Sequence, residues 1–336
     1  MDFSFTEEQT LLRNSVQKFI QNAYDFETRR KVSKSDAGWR KEIYGQFAEM
    51  GLLGVAIPED FGGLGGSAVD TMIIAEEFGR GLVIEPWLQN AVIAAGILKA
   101  AGSTAQKEEL LASIAAGESI FAFAYAEPQG RYNLADLVTT AKKSGDGYVL
   151  NGHKAVVLGA PFADKLIVTA RTSGGQRDSD GVTIFVVDKG AKGVSTRDYP
   201  TVDGSRASEV TFENVSVGAD AVIGEVGKGL ATVELVADQA IAALASESTG
   251  AMKVLNDTTI EYAKTRKQFG TPIGKFQVLQ HRMVDMFMNY EQSVSIAYMV
   301  TLKLEEEEAE RKKAASAAKV QIGKAGRFIG QSAVQI

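Results

Sequence analysis

Cysteine is absent from this 336-residue chain, and histidine occurs only twice, at His153 and His281, far apart in sequence. The first absence excludes disulfides, a thiol nucleophile and a thiolate metal site. The second argues against a zinc centre, so no metal is expected. A large surplus of one charge is lacking too. Lys and Arg total 36 against 42 Asp and Glu, a net −6, which gives no general pull toward nucleic acid or an anionic membrane. Any phosphate site must therefore be local. No stretch approaches the roughly 20 uninterrupted apolar residues of a membrane span, so no membrane insertion is expected. Met1-Asp2-Phe3-Ser4-Phe5 has neither the basic nor the apolar region of a signal peptide. A soluble, cytoplasmic protein is the expectation.

What is present is a globular composition, 45% aliphatic and aromatic, long enough for two or three domains. Thr6-Glu7-Glu8-Gln9 reads as a capping box opening a helix with Leu11, Leu12, Val16, Phe19 and Ile20 on one face. Helices are expected near 39–50, 68–80 and 86–101, and another after the capping box Ser103-Thr104-Ala105-Gln106. Between the first two of these, the glycine-rich run 51–66 is no regular element and reads as a scaffold loop. From 121 to 212 the pattern changes to short strands at 139–142, 148–157, 166–170, 182–187, 194–197 and 209–212, with turn signals such as Asn151-Gly152. Helical periodicity returns from about 228 to 265 and again after Phe276. A last helix is expected over 314–335. These blocks predict an all-α domain at 1–118, a small β-barrel or sandwich at 119–222 and a helical bundle at 223–336.

The joint between the two long helical runs is Arg266-Lys267-Gln268-Phe269-Gly270-Thr271-Pro272-Ile273-Gly274-Lys275-Phe276-Gln277. Arg266 offers a cationic fork for a phosphate or carboxylate, Gln268 an amide and Phe269 a flat apolar face. That set suits a dinucleotide. Composition alone favours a plainer reading, an interhelical turn whose Arg caps the preceding helix and whose Phe enters the core.

The run Arg266-Lys267-Gln268-Phe269-Gly270 with Phe276-Gln277 resembles the signature of the acyl-CoA dehydrogenase family. The string 51–66, GLLGVAIPEDFGGLGG, and the order helices, strands, helices are similar to that family as well. The resemblance spans essentially the whole chain. It implies FAD as cofactor and an acyl-CoA substrate. A carboxylate would remove the α-proton while the β-hydrogen leaves as hydride, giving the trans-2-enoyl-CoA. It further implies that Arg266, Gln268, Phe269, Gln277 and Gln335 face the FAD of a neighbouring subunit, and that electron-transfer flavoprotein is the usual acceptor.

Departures from the family pattern are informative. Its T-E-P-G-x-G-S-D flavin run is here Ala126-Glu127-Pro128-Gln129-Gly130-Arg131-Tyr132-Asn133, in which Arg131 and Tyr132 are expected to fill space left open by glycine and serine. Its W-I-T run is Val156-Val157-Leu158, so Tyr132, Val156 and Leu158 mark a degraded flavin cradle. The base of most members lies in a Y-E-G-T segment near the C-terminus. This chain stops at Ile336, where the family continues, and a truncated C-terminus is expected. A minority of members place the base on the helix before the joint, at positions matching Ala240 and Ile241, neither of which does acid–base work. Glu247, seven residues on, shares that helix face, although helix carboxylates are more often solvated or paired. Lys319, Lys324 and Arg327 read equally as contacts to a CoA phosphate or as the polar face of a helix. His153 reads as a strand residue facing solvent, His281 as a helix surface residue.

A chain that keeps its contribution to a neighbour while losing its own cradle resembles the small subunit of a hetero-oligomeric, pimeloyl-CoA dehydrogenase-type enzyme, lending FAD contacts to a large catalytic subunit. The alternatives are a homo-oligomeric dehydrogenase with its base in the missing segment, and a non-catalytic scaffold subunit.

Overall fold

The computed structural model describes residues 4–336; Met1, Asp2 and Phe3 of the N-terminal reading lie outside the described residues. Four helices come first: α1 (Glu7–Ala23), α2 (Phe26–Ser33), α3 (Lys41–Glu49) and α4 (Ala68–Gly81). The Thr6 capping box forms as expected, with Thr6 Oγ1 accepting from Gln9 N at 3.2 Å and Gln9 Oε1 accepting from Thr6 N at 3.1 Å. Of the apolar face read for α1, Val16 and Ile20 are buried, whereas Leu11 is exposed. The stretch 88–115 holds α5 (Ala95–Ala101), which continues a wider π-type segment at Leu88–Ala94, and α6 (Thr104–Gln106), which passes into α7 (Ala112–Ala115) through another at Lys107–Leu111.

Eight strands follow: β1 (Phe121–Ala124), β2 (Thr140–Ser144), β3 (Gly147–Leu158), β4 (Lys165–Arg171), β5 (Val182–Asp188), β6 (Val194–Pro200), β7 (Arg206–Val217) and β8 (Val222–Ile223). They form one sheet in the order β6-β7-β3-β2-β4-β5-β8, with β1 parallel to β4 off that path. A single residue pair, Thr140 with Arg171, joins β2 to β4, so two antiparallel halves meet at one narrow seam. Helix α8 (Leu230–Thr265) leads to a two-residue-armed hairpin, β9 (Lys267–Gln268) and β10 (Thr271–Pro272). Helices α9 (Gln277–Leu302) and α10 (Glu308–Gln335) complete the chain.

By contacts the chain groups into two compact units. Unit 1 comprises Met1–Arg29, Ser67–Val83 and Asp238–Ile336. Its helices pack through small residues: Ala242, Ala245, Ala297, Val300, Ala314 and Ala318 form one buried cluster. The crossing of α4 and α8 is backbone to backbone. A Cβ on Gly79 would stand 1.8 Å from the Glu247 carbonyl oxygen, and one on Gly250 1.9 Å from that of Glu76. No residue but glycine fits at either point. Unit 2 comprises Arg30–Gly66 and Ile84–Ala237. Its core joins Ile97, Leu98, Leu111 and Ile114 to Phe121, Ile167 and Ile184 of the sheet. The 51–66 loop closes on itself, with Gly65 N donating to Ile57 O at 2.9 Å and Gly66 N to Val55 O at 2.7 Å.

Candidate functional site

In unit 1 the joint after α8 is a tight hairpin rather than a loose turn. Its two turn residues, Phe269 and Gly270, have φ of +54° and +77°. Positive φ at both positions is what a two-residue β-hairpin with right-handed strand twist requires. Glycine adopts it freely, while phenylalanine is strained by about 1–2 kcal/mol. The ring is not in the core: Phe269 is 93% exposed and stands T-shaped to Phe276, at 6.3 Å between centroids. The backbone is well tied, with Ile273 N donating to Arg266 O at 2.8 Å. The side chains are not. Arg266, Gln268, Gln277 and Gln335 are exposed, and none makes a side-chain hydrogen bond or ion pair among the described residues. The expectation that Arg caps and Phe enters the core, which composition alone favoured, is therefore not what the chain does.

In unit 2 the relevant edge lies where β3 ends beside the turn 126–138. Residues alternate sides along a strand, yet Lys154 and Val157, three apart, are both buried. The extra residue is absorbed by a bulge, seen as a register shift against β7 between Lys154 and Val157 and as Val156 at φ +52°. Val156 and Leu158 consequently emerge on the outer side, half-exposed, and Tyr125 is exposed beside them, stacked on Phe123 at 5.0 Å. Ala155 N donates to Ala126 O at 2.9 Å, which joins strand and turn.

The turn itself is knitted from within. Glu127 accepts from Val138 N at 2.7 Å, Thr139 N at 3.2 Å and Gln129 Nε2 at 2.9 Å, and pairs with Lys154 Nζ at 2.7 Å. Both partners of that ion pair are buried. Complete burial pulls the Lys154 ammonium down to about 8 against the opposing pull of Glu127. Burial pushes the Glu127 carboxyl up, but the Lys154 charge and the hydrogen bonds hold it below its ordinary value. Arg171 Nη atoms bind the carbonyls of Ala135, Gln176, Asp178 and Asp180, and Asp136 accepts from Gln176 and Arg177. Arg131 and Tyr132 at the tip of the turn are both exposed, Tyr132 fully.

The expected acid–base positions lie in unit 1. Ala240 is buried and Ile241 half-buried on α8. Ile241, Leu244 and Ser248 line one wall of an apolar groove of about 350 Å³, and Ala318, Lys319 and Ile322 of α10 line the other. Glu247 sits at the α4 crossing, half-buried, with its carbonyl against Gly79. Lys324, Arg327 and His281 are exposed. His153 in unit 2 has partners that its position in sequence did not reveal: Nε2 lies 2.7 Å from Glu209 Oε2 and Nδ1 3.2 Å from Thr211 Oγ1. Among the described residues no group of three His, Asp or Glu is placed to hold a metal, and no helix is long and apolar enough to cross a membrane.

For a flavin dinucleotide the donor chemistry fits in two separate places. The unpartnered Arg266 and Gln268, with the bare face of Phe269, suit phosphates and a flat ring. The edge at Tyr125, Val156 and Leu158 offers apolar contact, but Ala126 brings no side-chain hydroxyl to it.

Comparison with known proteins gives the context. Family models described as acyl-CoA dehydrogenase N-terminal, middle and C-terminal domains match residues 6–118, 122–215 and 227–336. A 3-(aryl)acrylate reductase of Clostridium sporogenes is 31% identical over 99% of this chain and 86% of its own length. The caffeyl-CoA reductase–Etf complex subunit CarC of Acetobacterium woodii is 32% identical over 99% and 88%. Among solved structures, an FAD complex of PigA superposes with a TM-score of 0.92 at 26% identity, covering 100% of this chain and 88% of that one.

Proposed function

Because the chain belongs to the acyl-CoA dehydrogenase family of FAD-dependent oxidoreductases acting on CH–CH bonds, we propose that it works as the small subunit of a hetero-oligomeric enzyme. In that assembly Arg266, Gln268, Phe269, Gln277 and Gln335 reach toward the FAD of a large subunit of similar fold. The reaction is α,β-dehydrogenation of an acyl-CoA to the trans-2-enoyl-CoA, with electron-transfer flavoprotein as acceptor in the cytoplasm. When bound, FAD supplies the hydride acceptor. This chain's part is to hold and orient: the Arg266 guanidinium neutralises phosphate charge and Phe269 covers an apolar face. The α-proton falls to a carboxylate outside positions 240 and 241, since Ala240 and Ile241 take no proton; Glu247, half-buried on the same helix, stays a candidate. The three-part organisation 1–118, 119–222 and 223–336 belongs to the same proposal. Two relatives carry reductase names, for a 3-(aryl)acrylate and for caffeyl-CoA.

The observation that carries this reading is the hairpin: a rigid, exposed Arg266-to-Phe269 face whose side chains have no hydrogen-bond or ion-pair partner among the described residues. A second reading, a homo-oligomer that holds FAD on its own Tyr125–Leu158 edge, is favoured by the outward apolar side chains there. Purification with FAD, alone and coexpressed with an acyl-CoA dehydrogenase-fold chain encoded beside it, separates the two. A chain that is yellow alone and reduces an acceptor with acyl-CoA supports the second reading. A scaffold role predicts that R266A leaves FAD retention in the coexpressed complex unchanged.

A further inference from the structure

We propose that the stretch of α10 from about Gly326 to Gln335 is a latch that lifts from α8 while the rest of the helical bundle stays packed, and that Asn256 is the residue that keeps it openable. Asn256 lies in α8 and is only 5% exposed, yet neither its amide nitrogen nor its amide oxygen has a partner among the described residues. Elsewhere α8 settles its buried polar side chains. Asp238 pairs with Arg311 at 2.9 Å, and the hydroxyls of Ser246, Thr249 and Thr259 donate to the carbonyls of Ala242, Ser246 and Leu255 one turn back. A buried amide left unpaired works against the closed packing, because it regains its hydrogen bonds only where water reaches it.

The opposing helix gives this amide nothing. Along the seam α8 and α10 run in the same direction: Asp238 meets Arg311, 73 positions on, and a Cβ on Gly326 would stand 3.4 Å from the Met252 methyl. The same offset sets Asn256 level with Ile329 and Gly330. Ile329 is fully buried in a cluster with Met252, Met286 and Ala325, and neither of the two facing residues carries a polar side-chain atom.

A second, independent observation falls at the same level. A groove of about 450 Å³ runs between Leu255, Thr259 and Tyr262 of α8 and Gly330, Ala333 and Val334 of α10, and a Cβ added to Gly330 meets nothing within 4 Å. Close packing is thus missing where the amide is orphaned. The groove at Ile241 to Ser248 lies on the same pair of helices, but there they are fastened by the Asp238–Arg311 pair and by the cluster of Ala242, Ala245, Ala314 and Ala318. Lifting the latch exposes Ile329 and hydrates Asn256, two effects of opposite sign that keep the closed and lifted forms near in free energy. Gln335 rides on the latch, so its direction depends on closure; the latch itself does not rest on any role given to Gln335.

Amide hydrogen exchange of the full chain, compared with that of N256L, tests the latch. N256L removes the orphaned amide, and exchange over 326–335 should slow about tenfold while exchange over 308–318 stays unchanged. Equal rates in the two proteins overturn the proposal. Faster exchange in N256L also overturns it, since the amide is then satisfied in the closed bundle. Uniform slowing of both stretches overturns it as well, because it assigns Asn256 to global stability alone. Should N256L not fold, the absence of cysteine from the chain gives a second measurement. S332C and S246C replace serines that are 2% and 1% exposed, the first in the latch and the second in the fastened half. Labelling of S332C by a thiol reagent about tenfold or more faster than that of S246C supports the latch; comparable rates overturn it.

Discussion

The hairpin at 266–272 in unit 1 and the turn at 126–138 in unit 2 are both polar connections holding a bulky residue in the left-handed region, Phe269 at +54° and Arg131 at +49°. They use their polar groups in opposite ways. In the turn, Glu127, Gln129 and Asp136 are all tied to groups of the same unit. In the hairpin the backbone is tied but Arg266 and Gln268 have no internal partner. A polar group satisfied inside the fold fixes shape, and one left free on a rigid turn is available to a ligand. The turn therefore shapes an edge, whereas the hairpin is the element that reaches outward.

Substitutions sharpen this contrast. The largest effect is expected from K154M, which leaves Glu127 buried without its cation and costs about 3–5 kcal/mol in urea unfolding. R266A, by contrast, should stay within about 0.5 kcal/mol of the unmodified chain; a comparable loss there would erase the distinction between the two regions. In the coexpressed complex R266A should weaken FAD retention by roughly 1–3 kcal/mol, measured by titration of the apo-complex with FAD. The pH response should again belong to the turn. The folded Lys154 holds its proton only to about 8, against an ordinary 10.5, so between those values the unfolded chain binds more protons at this position. The stability of the unmodified chain should accordingly rise with pH across that window relative to K154M, read from urea midpoints at its two ends. R266A should show no such difference. Smallest is V156G: relief of about 1–2 kcal/mol of left-handed strain is partly offset by the freedom glycine gains on unfolding, leaving a gain under about 1 kcal/mol in thermal denaturation.

Much of the fold was legible. Short strand-like runs bounded by turn signals located β2 to β7, although Asn151-Gly152, read as a turn, lies within β3, and the Thr6 and Ser103 boxes located two helix starts, because side chain and backbone there satisfy one another locally. The four-residue β1 was not named, since Phe121–Ala124 is too short and too uniformly apolar to show a period. The joint at 266–277 was legible as a break and as a family resemblance, but its hairpin geometry depends on Phe269 taking a conformation that propensity disfavours. Lys154 was missed. Its inward direction depends on the bulge at Val156, and its partner Glu127 lies 27 residues away, so only a polar residue at an unexpected strand parity hinted at it. His153 with Glu209 is similar: the pair meets across neighbouring strands, 56 residues apart in sequence.

The most direct test of the account is the visible absorption spectrum of this chain purified with FAD, first alone and then coexpressed with a candidate large subunit of acyl-CoA dehydrogenase fold. The account predicts a colourless chain alone and a yellow complex that loses flavin on R266A. A full flavin band in the chain alone, unaffected by R266A, would contradict it.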